Sequence, residues 1–436
     1  MNEIISAIST ASGVGGVAII RMSGDRCLEI AQKMFTPSGK TEVRNFTPNT
    51  MYAGEIDGEG FKDFGMCVYF KAPKSFTGED IVEFHCHGGV QIARGILSKT
   101  LSLGARAAEK GEFTKRAFIN GKLSLSSAEG MIDIINAESL ASLRAGSMLY
   151  SERLTGEIKN LQDELTQILA EIAADVDYPE EDLEGVNTQI IVKKINSLSR
   201  KLNELASSFK CGKKIKEGVT VAICGKPNTG KSSLLNRLIG YEKAIVSREA
   251  GTTRDAVEGS MQIDGVKYNL IDTAGIREKA GEVESIGIER AKKIIASADI
   301  ILSVTDGGGE VEIQNAGGEI IKVFNKCDIC KPNGDYDIAL SAKTGEGIEK
   351  LKRIISNKCV GELSLDKAYI IEERHYQALL SAVQSLASAI NNAAKFTIDI
   401  LAIDLKEAWD ALGEITGETA NESIINTVFE KFCVGK

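Results

Sequence analysis

Positive charge is in short supply in this 436-residue chain, which carries 52 Lys and Arg against 61 Asp and Glu for a net charge of −9. No overall basic field therefore draws it to nucleic acid or a membrane surface, and any bound RNA must be held by a local patch or presented by a partner. No apolar run approaches the length of a membrane span, and MNEIISAIST at the start lacks the basic region and apolar core of a signal peptide. A cytoplasmic, soluble protein with reduced thiols is expected. Histidine is scarce at three, and the nine cysteines are odd in number. Cys327 and Cys330 form a C-x-x-C with no second pair at zinc-ribbon spacing. His85-Cys86-His87 would alternate across the two faces of a strand. Neither cluster argues for zinc. Cys433 stands fourth from the last residue, but Gly435 is not aliphatic and Lys436 is an atypical final residue for prenylation.

What is present is ordinary globular composition, 43% hydrophobic and 26% charged, with length for about three domains. Residues 1–118 read as mixed α and β. VAIIRMSG (17–24), GMCVYFK (65–71) and DIVEFHCH (80–87) have strand texture, whereas CLEIAQKMF (27–35) and VQIARGILSKTLSLG (90–104) have helical spacing. Beyond residue 120 the texture changes. Proline is absent between Pro73 and Pro179 and after Pro332, and Leu154, Ile158, Leu161, Leu165, Ile168 and Ile172 step by four and three. Ile191 to Phe209, Leu379 to Ile390 and Ile398 to Ile415 repeat that stepping, the mark of long helices with one narrow apolar seam. Between these blocks, TVAIC (220–224), YNLID (268–272), DIILSVTD (299–306), IIKVFN (320–325) and IALSA (338–342) are runs of buried parallel-strand type. The economical arrangement is an α/β domain inserted into one helical domain, with two separate bundles as the alternative.

GKPNTGKS (225–232) follows a strand and opens a helix, which makes this G-x-x-x-x-G-K-[ST] pattern specific for a phosphate-binding loop. Backbone N–H groups around Asn228, Thr229 and Gly230 would cradle the phosphates, Lys231 would reach the β and γ groups, and Ser232, beside Ser233, would take Mg²⁺. NKCD (325–328) selects the base. Asp328 offers two acceptors to the paired N–H donors of guanine, with Asn325 and Lys326 beside it. A site of that kind rejects the wrong base by roughly 10⁴-fold. Cys327 fills the free position of the motif. GTTRD (251–255) supplies Gly251, Thr252 and Thr253, the last for Mg²⁺ and the γ-phosphate. DTAG (272–275) puts Asp272 on the metal side and the Gly275 amide near the γ-phosphate, with Thr273 and Ala274 between. SAK, that is Ser341, Ala342 and Lys343, would back the guanine. Along the chain these run phosphate loop, GTTRD, DTAG, NKCD and SAK, and five elements in that order point to a GTPase.

One part is missing. Ras-like enzymes place a water-orienting glutamine after DTAG, and Ile276 stands there instead. The phosphate loop carries Asn228, a neutral oxygen ligand, and no arginine finger is evident, so a monovalent cation is the expected source of positive charge.

The whole chain resembles the tRNA-modification GTPases of the MnmE/TrmE family. The resemblance runs through GVGGVAIIRMSG (13–24), FTGEDIVEFHCHGG (76–89), GEFTKRAFINGKLSLSSAEG (111–130), VDYPEED (176–182), the G motifs and the terminal FCVGK. It implies a homodimer built from residues 1–118, an α+β domain that binds a tetrahydrofolate one-carbon donor (5-formyl or methylene). It also implies a discontinuous all-α domain over 119–215 and 362–436, and an inserted Ras-like GTPase domain over 216–361. The implied partner is the flavoprotein MnmG/GidA, with which the family adds a carboxymethylaminomethyl group to C5 of a wobble uridine. tRNA would be held mainly by that partner. Carried over by position, the folate ligands are Arg21, Glu83, Lys122 and Lys436. K⁺ falls on Asn228, Ser247, Glu249 and Thr252, with Arg248 and Ala250 in the same nucleotide-binding stretch. Glu284 replaces the absent glutamine in orienting water, Arg277 assists, and the Cys433 thiol lies near the one-carbon chemistry. The FCVGK tail is then a docked element, with Phe432 in an apolar socket, Gly435 in a turn and Lys436 at the folate.

A rival reading is a ribosome-assembly GTPase that binds rRNA. Such proteins often carry a KH-type G-x-x-G module, and none occurs after Gly347. A folate-dependent transferase with a vestigial GTPase is disfavoured by the intact G motifs.

Overall fold

The computed structural model describes residues 3–177, 188–240, 259–273, 284–309, 313, 316–360, 369–393, 395 and 397–436. The chain divides into two compact units, one of residues 1–132, 149–191 and 388–436, the other of 133–148 and 192–387.

The first unit is built on a seven-stranded sheet of order β3-β4-β5-β6-β2-β1-β7. Its strands are β1 (Ile5–Ile8), β2 (Val17–Ser23), β3 (Phe35–Pro37), β4 (Met51–Asp57), β5 (Lys62–Phe70), β6 (Ile81–His87) and β7 (Arg106–Ala107). All pairs are antiparallel except β1 with β7. Helices α1 (Cys27–Met34) and α2 (Val90–Ser102) cover one face, burying Ile20, Met22, Phe84 and Ile96 in a common core. The expected strands and helices of this region are all there. The structure adds β1, β3, β4 and β7, whose short or polar runs carry little periodic signal. α3 (Glu112–Ile119), α4 (Leu125–Ile135) and α14 (Glu422–Phe429) gather around Leu125, Ala128, Phe429 and Phe432. α6 (Arg153–Asp177) carries its whole predicted seam, Leu154 to Ile172, fully buried. It packs along α13 (Ile398–Thr416), and Trp409 Nε1 donates to Thr166 Oγ1 at 3.1 Å.

The second unit holds a six-stranded sheet of order β13-β12-β11-β8-β10-β9. β8 (Val219–Cys224), β10 (Val266–Asp272), β11 (Ile300–Thr305), β12 (Glu319–Phe324) and β13 (Ile338–Ala339) are parallel, as their unbroken apolar texture predicts. Four match their predicted runs to within two residues at either end, and the last stops at Ala339, three short, as the chain turns into the loop after it. β9 (Gly259–Ile263) is an antiparallel edge joined to β10 by a two-residue turn at Asp264 and Gly265, both with positive φ. α9 (Lys231–Gly240), α10 (Glu284–Ser297) and α11 (Ile348–Val360) belong to this layer. α5 (Leu140–Tyr150) contributes Ala141 to the same core, and α7 (Thr188–Ser207), α8 (Phe209–Glu217) and α12 (Glu373–Asn392) complete the helices among the described residues. Phe209 stacks on Tyr376 at 4.4 Å between centroids, and Ser208 Oγ accepts from the Ile370 amide at 3.0 Å. The outer seam positions Leu205, Phe209, Val383, Ile390 and Ile398 are half-buried, whereas Ala206, Ala378, Ala382 and Ala389 are buried.

Candidate functional site

β8 delivers the phosphate loop at the C-terminal end of the parallel strands, the place where open α/β sheets bind ligands. The loop curls because its backbone can. Asn228 holds φ +64° and Gly230 φ +88°, and a Cβ on Gly230 would lie 2.3 Å from Asn325 Nδ2. A Cβ on Gly225 would lie 2.2 Å from the Val304 carbonyl oxygen. Thr229 and Lys231 are nearly enclosed, at 3% and 5% exposure. Lys231 Nζ donates to the Lys226 carbonyl at 2.7 Å, within the arc of the loop. Ser232 Oγ donates to Asp272 Oδ2 at 3.0 Å, so the two oxygens expected around Mg²⁺ are neighbours, a hard donor pair suited to that ion. Thr273 is fixed to β8 through its Oγ1, which donates to the Ile223 carbonyl at 3.0 Å.

Base recognition is braced onto phosphate recognition. Asn325 Nδ2 donates to the Thr229 carbonyl at 2.8 Å while its Oδ1 accepts from the Ala342 amide at 3.0 Å. Lys326, in the left-handed region at φ +64°, donates to the Asn228 carbonyl and to Asp306 Oδ2, each at 2.7 Å. The hydrogen bond from Lys326 holds the Asp306 carboxyl below its usual range. Ser341 is buried and receives the Thr344 amide on its Oγ at 3.2 Å. Asp328 and Lys343 stand exposed at the rim, and Ser233 is exposed on α9. Three contributors escaped the sequence reading: Lys226, Asp306 and Arg237, whose Nε donates to the Ala342 carbonyl at 3.0 Å. Asp306 carried a signal, since it ends a buried strand on the ligand-binding edge. Ser247, Arg248, Glu249, Ala250, Gly251, Thr252, Thr253, Ala274, Gly275 and Arg277 lie outside the described residues. Glu284 opens α10, and its side chain is likewise outside them.

A second site lies in the first unit. Arg21 on β2 and Glu83 on β6 are directly opposite in the ladder, and Arg21 Nε donates to Glu83 Oε1 at 2.7 Å. His85 Nε2 lies 3.3 Å from the other carboxylate oxygen. Burial pushes the Glu83 carboxyl up, but the His85 hydrogen bond and the Arg21 charge outweigh it and leave the group below its usual range. The guanidinium sits over the rings of Phe76 and Phe113, at 5.8 and 5.7 Å from their centroids. Around the pair opens a cavity of about 490 Å³ lined also by Ser9, Phe70, Phe76, Ile81, Thr114, Met131 and Lys436. That size suits a small molecule. Thr114 is 0% exposed, and its Oγ1 has no hydrogen-bond partner among the described residues. A buried hydroxyl left so costs about 1–3 kcal/mol, which a polar ligand atom would offset. Aromatic walls, two cations, an ionised carboxylate and an orphaned hydroxyl fit a flat, polar, anionic molecule such as a reduced folate.

The FCVGK tail docks as expected. Phe432 is 2% exposed in the cluster of α4 and α14, Val434 pairs with Lys110 in an antiparallel bridge, and Ser9 Oγ donates to the Gly435 carbonyl. Gly435 adopts φ +96°, and a Cβ there would lie 2.3 Å from the Ile8 carbonyl oxygen. Arg21, Glu83 and Lys436 are thus brought together. Lys122 is not among the lining residues, its Nζ donating to the Pro73 carbonyl at 3.0 Å. Cys433 is exposed and also outside the lining. Ser9, Thr114 and Met131 were not singled out from sequence, although Thr114 sits inside GEFTKRAF.

Among the described residues no helix is long and apolar enough to cross a membrane. A profile described as "MnmE helical domain" matches residues 125–433, and one described as "GTP-binding protein TrmE N-terminus" matches 4–122. The chain is 38% identical to the tRNA modification GTPase MnmE of Thermoanaerobacter pseudethanolicus, over 100% of this chain and 99% of that one. To the protein of the same name in Clostridioides difficile it is 36% identical over 100% of both. With a phosphate loop and guanine-recognition loop in place and these similarities spanning its length, the chain belongs to the family of tRNA modification GTPases named MnmE.

Proposed function

We propose that the chain is a potassium-activated GTP hydrolase that modifies C5 of the wobble uridine of tRNA, together with a flavin-dependent partner of the MnmG/GidA type. It works in the cytoplasm as a homodimer, and tRNA is held mainly by the partner. Residues 1–118 bind folate and dimerise, 119–215 and 362–436 form the helical domain, and 216–361 the GTPase domain. The observation that carries the reading is the cavity holding Arg21, Glu83, Thr114 and Lys436 in a chain that also has a complete phosphate loop. It favours a folate-using modification enzyme over an rRNA-binding GTPase.

In the GTPase site, Lys231 turns from the Lys226 carbonyl toward phosphate oxygens, which are stronger acceptors for an ammonium. Ser232 and Asp272 hold Mg²⁺, with Thr253 completing the set. Asn228 offers K⁺ an oxygen from a loop that already carries Lys231, and Ser247, Glu249 and Thr252 share that ion. Glu284 orients the attacking water and Arg277 assists. The cation charge takes the part of an arginine finger, whose removal costs roughly 10³ to 10⁵ in rate. In the folate site, Glu83 would accept N–H donors of the ring while Arg21 holds its carboxylate in place, and Lys436, with Lys122 on leaving Pro73, would meet anionic parts of the molecule. Folate supplies a one-carbon unit when bound, and Cys433 is the thiol closest in sequence to that chemistry. Dimerisation is supported by the sheet face opposite α1 and α2, where Phe64 is 62% exposed and the cross-strand row Ala53–Met66–His85–Ile19 is apolar in three of four places.

The test is binding of 5-formyltetrahydrofolate by titration calorimetry, with affinity capture of a flavoprotein from the native cell. Folate binding lost in Arg21→Ala supports the reading, and a wild-type chain that binds no folate overturns it.

A further inference from the structure

The C-x-x-C of the guanine-recognition loop has no part in the activity described above, yet the fold puts both sulfurs on one turn. The amides of Ile329 and Cys330 both donate to the Lys326 carbonyl, each at 3.0 Å, which closes a single helical turn over 326–330. Asp328, which reads the base, is one of the two residues between the cysteines. Both thiols are free, with Cys330 exposed and Cys327 half-buried. The start of the turn is fixed: the Cys327 amide donates to the Leu340 carbonyl at 3.2 Å, and Lys326 is tied to Asn228 and Asp306. Its far end, from Asp328 to Cys330, is open to solvent.

From this geometry we infer that Cys327 and Cys330 are a reversible oxidation site, whose disulfide displaces Asp328 and releases the guanine nucleotide. Two side chains three apart on a helical turn have Cβ atoms about 5–6 Å apart, whereas a disulfide needs about 3.8 Å. Closing the bridge tightens the turn by more than 1 Å on that comparison. With Cys327 held by Leu340, the movement falls on residues 328–330 and takes the Asp328 carboxylate out of the plane of the base. The oxidant is a low-molecular-weight disulfide, RSSR. The Cys330 thiolate attacks one of its sulfurs and expels RS⁻, forming a mixed disulfide. Cys327 then attacks the Cys330 sulfur, an S–S bond forms between them, and the second RS⁻ leaves. The two thiol protons end on two RSH, so RSSR is reduced and the pair oxidised. The order follows from exposure, and burial, with the Glu346 and Asp328 carboxylates, holds the Cys327 thiol above its usual range, which keeps it second. Transient bridges of this kind are the sort found in reducing compartments.

The experiment incubates the full chain with glutathione disulfide and follows both the peptide map and the affinity for a fluorescent GDP. The expected result is a 327–330 peptide lacking two hydrogens, with GDP affinity down about tenfold or more, the scale of one charge-assisted hydrogen bond. Dithiothreitol restores it. By reciprocity, saturating GDP shifts the equilibrium toward the dithiol by the same factor. Cys330→Ser keeps the affinity of the reduced protein and loses the response. The inference is overturned if no internal bridge forms, if it forms with GDP affinity unchanged, or if Cys330→Ser responds as the wild type does.

Discussion

Ser9 Oγ donates to the carbonyl of Gly435 at 3.0 Å, a bond that spans 426 positions of sequence and sets Lys436 at the cavity beside Arg21. The contact makes the tail a wall of the pocket. Gly435→Ala puts a Cβ 2.3 Å from the Ile8 carbonyl oxygen at φ +96°, a left-handed conformation that alanine adopts only with strain. We expect 5-formyltetrahydrofolate affinity to fall about tenfold, the equivalent of one lost charged contact, while GTP turnover stays at wild-type level. Unchanged folate affinity would detach the tail from the pocket. A wobble-uridine modification assay tests the thiol in Cys433→Ser: modification lost with GTP hydrolysis intact would give it a chemical role, and normal modification would return it to packing.

Thr114→Val removes only the hydroxyl that has no partner. Two effects of opposite sign are expected. The unliganded protein gains about 1 kcal/mol of stability, since a buried polar group no longer goes unbonded. Folate affinity drops by about tenfold. Denaturant titration and calorimetry read the two, and a loss of stability would mean that the hydroxyl is satisfied within the protein.

Potassium dependence follows from Asn228 in the phosphate loop and Ile276 after DTAG. Initial GTPase rates in KCl should exceed those in NaCl at equal ionic strength, and equal rates end the cation proposal. Glu284→Ala should lower turnover by roughly 10²-fold, the lower range for a proton-handling or water-orienting group, with little change in GDP affinity. Normal turnover would pass the role to Arg277.

Asp133 gives a pH prediction. Its carboxyl shares the Lys216 ammonium, at 2.8 Å, with Glu372, and burial with the Glu372 charge pushes it up to about 7. An unfolded aspartate titrates near 4, so the folded state holds the extra proton between those values. Stability from this group is fully present below about pH 4 and is lost as pH rises through about 7. Asp133→Asn should flatten the fall in stability between pH 5 and 8, measured by urea denaturation. An unaltered slope would assign it to other groups.

Sequence legibility tracked how local each signal was. The five parallel strands could be read because burial on both faces leaves unbroken apolar runs, and the seam of α6 because one helix face meets one neighbour. β9 could not, since GSMQI is an edge with one buried side chain. Likewise the phosphate loop, NKCD and SAK are contiguous motifs of eight residues or fewer, each legible as a single stretch of sequence. The second cavity is made by cross-strand register and a chain end, so Arg21, Glu83 and Lys436 came only through family likeness. Thr114 and Ser9 gave no local sign at all, because a lone hydroxyl acquires meaning only from what surrounds it.

Asn325 spends both ends of its amide on protein, one on the Thr229 carbonyl and the other on the Ala342 amide. The loops for triphosphate and nucleoside are thereby clamped into one jaw. A movement of Asn325 itself would therefore disturb the base side and the phosphate side together. What gives way when a nucleotide leaves must then lie outside this bridge, and the open end of the 326–330 turn is one such place.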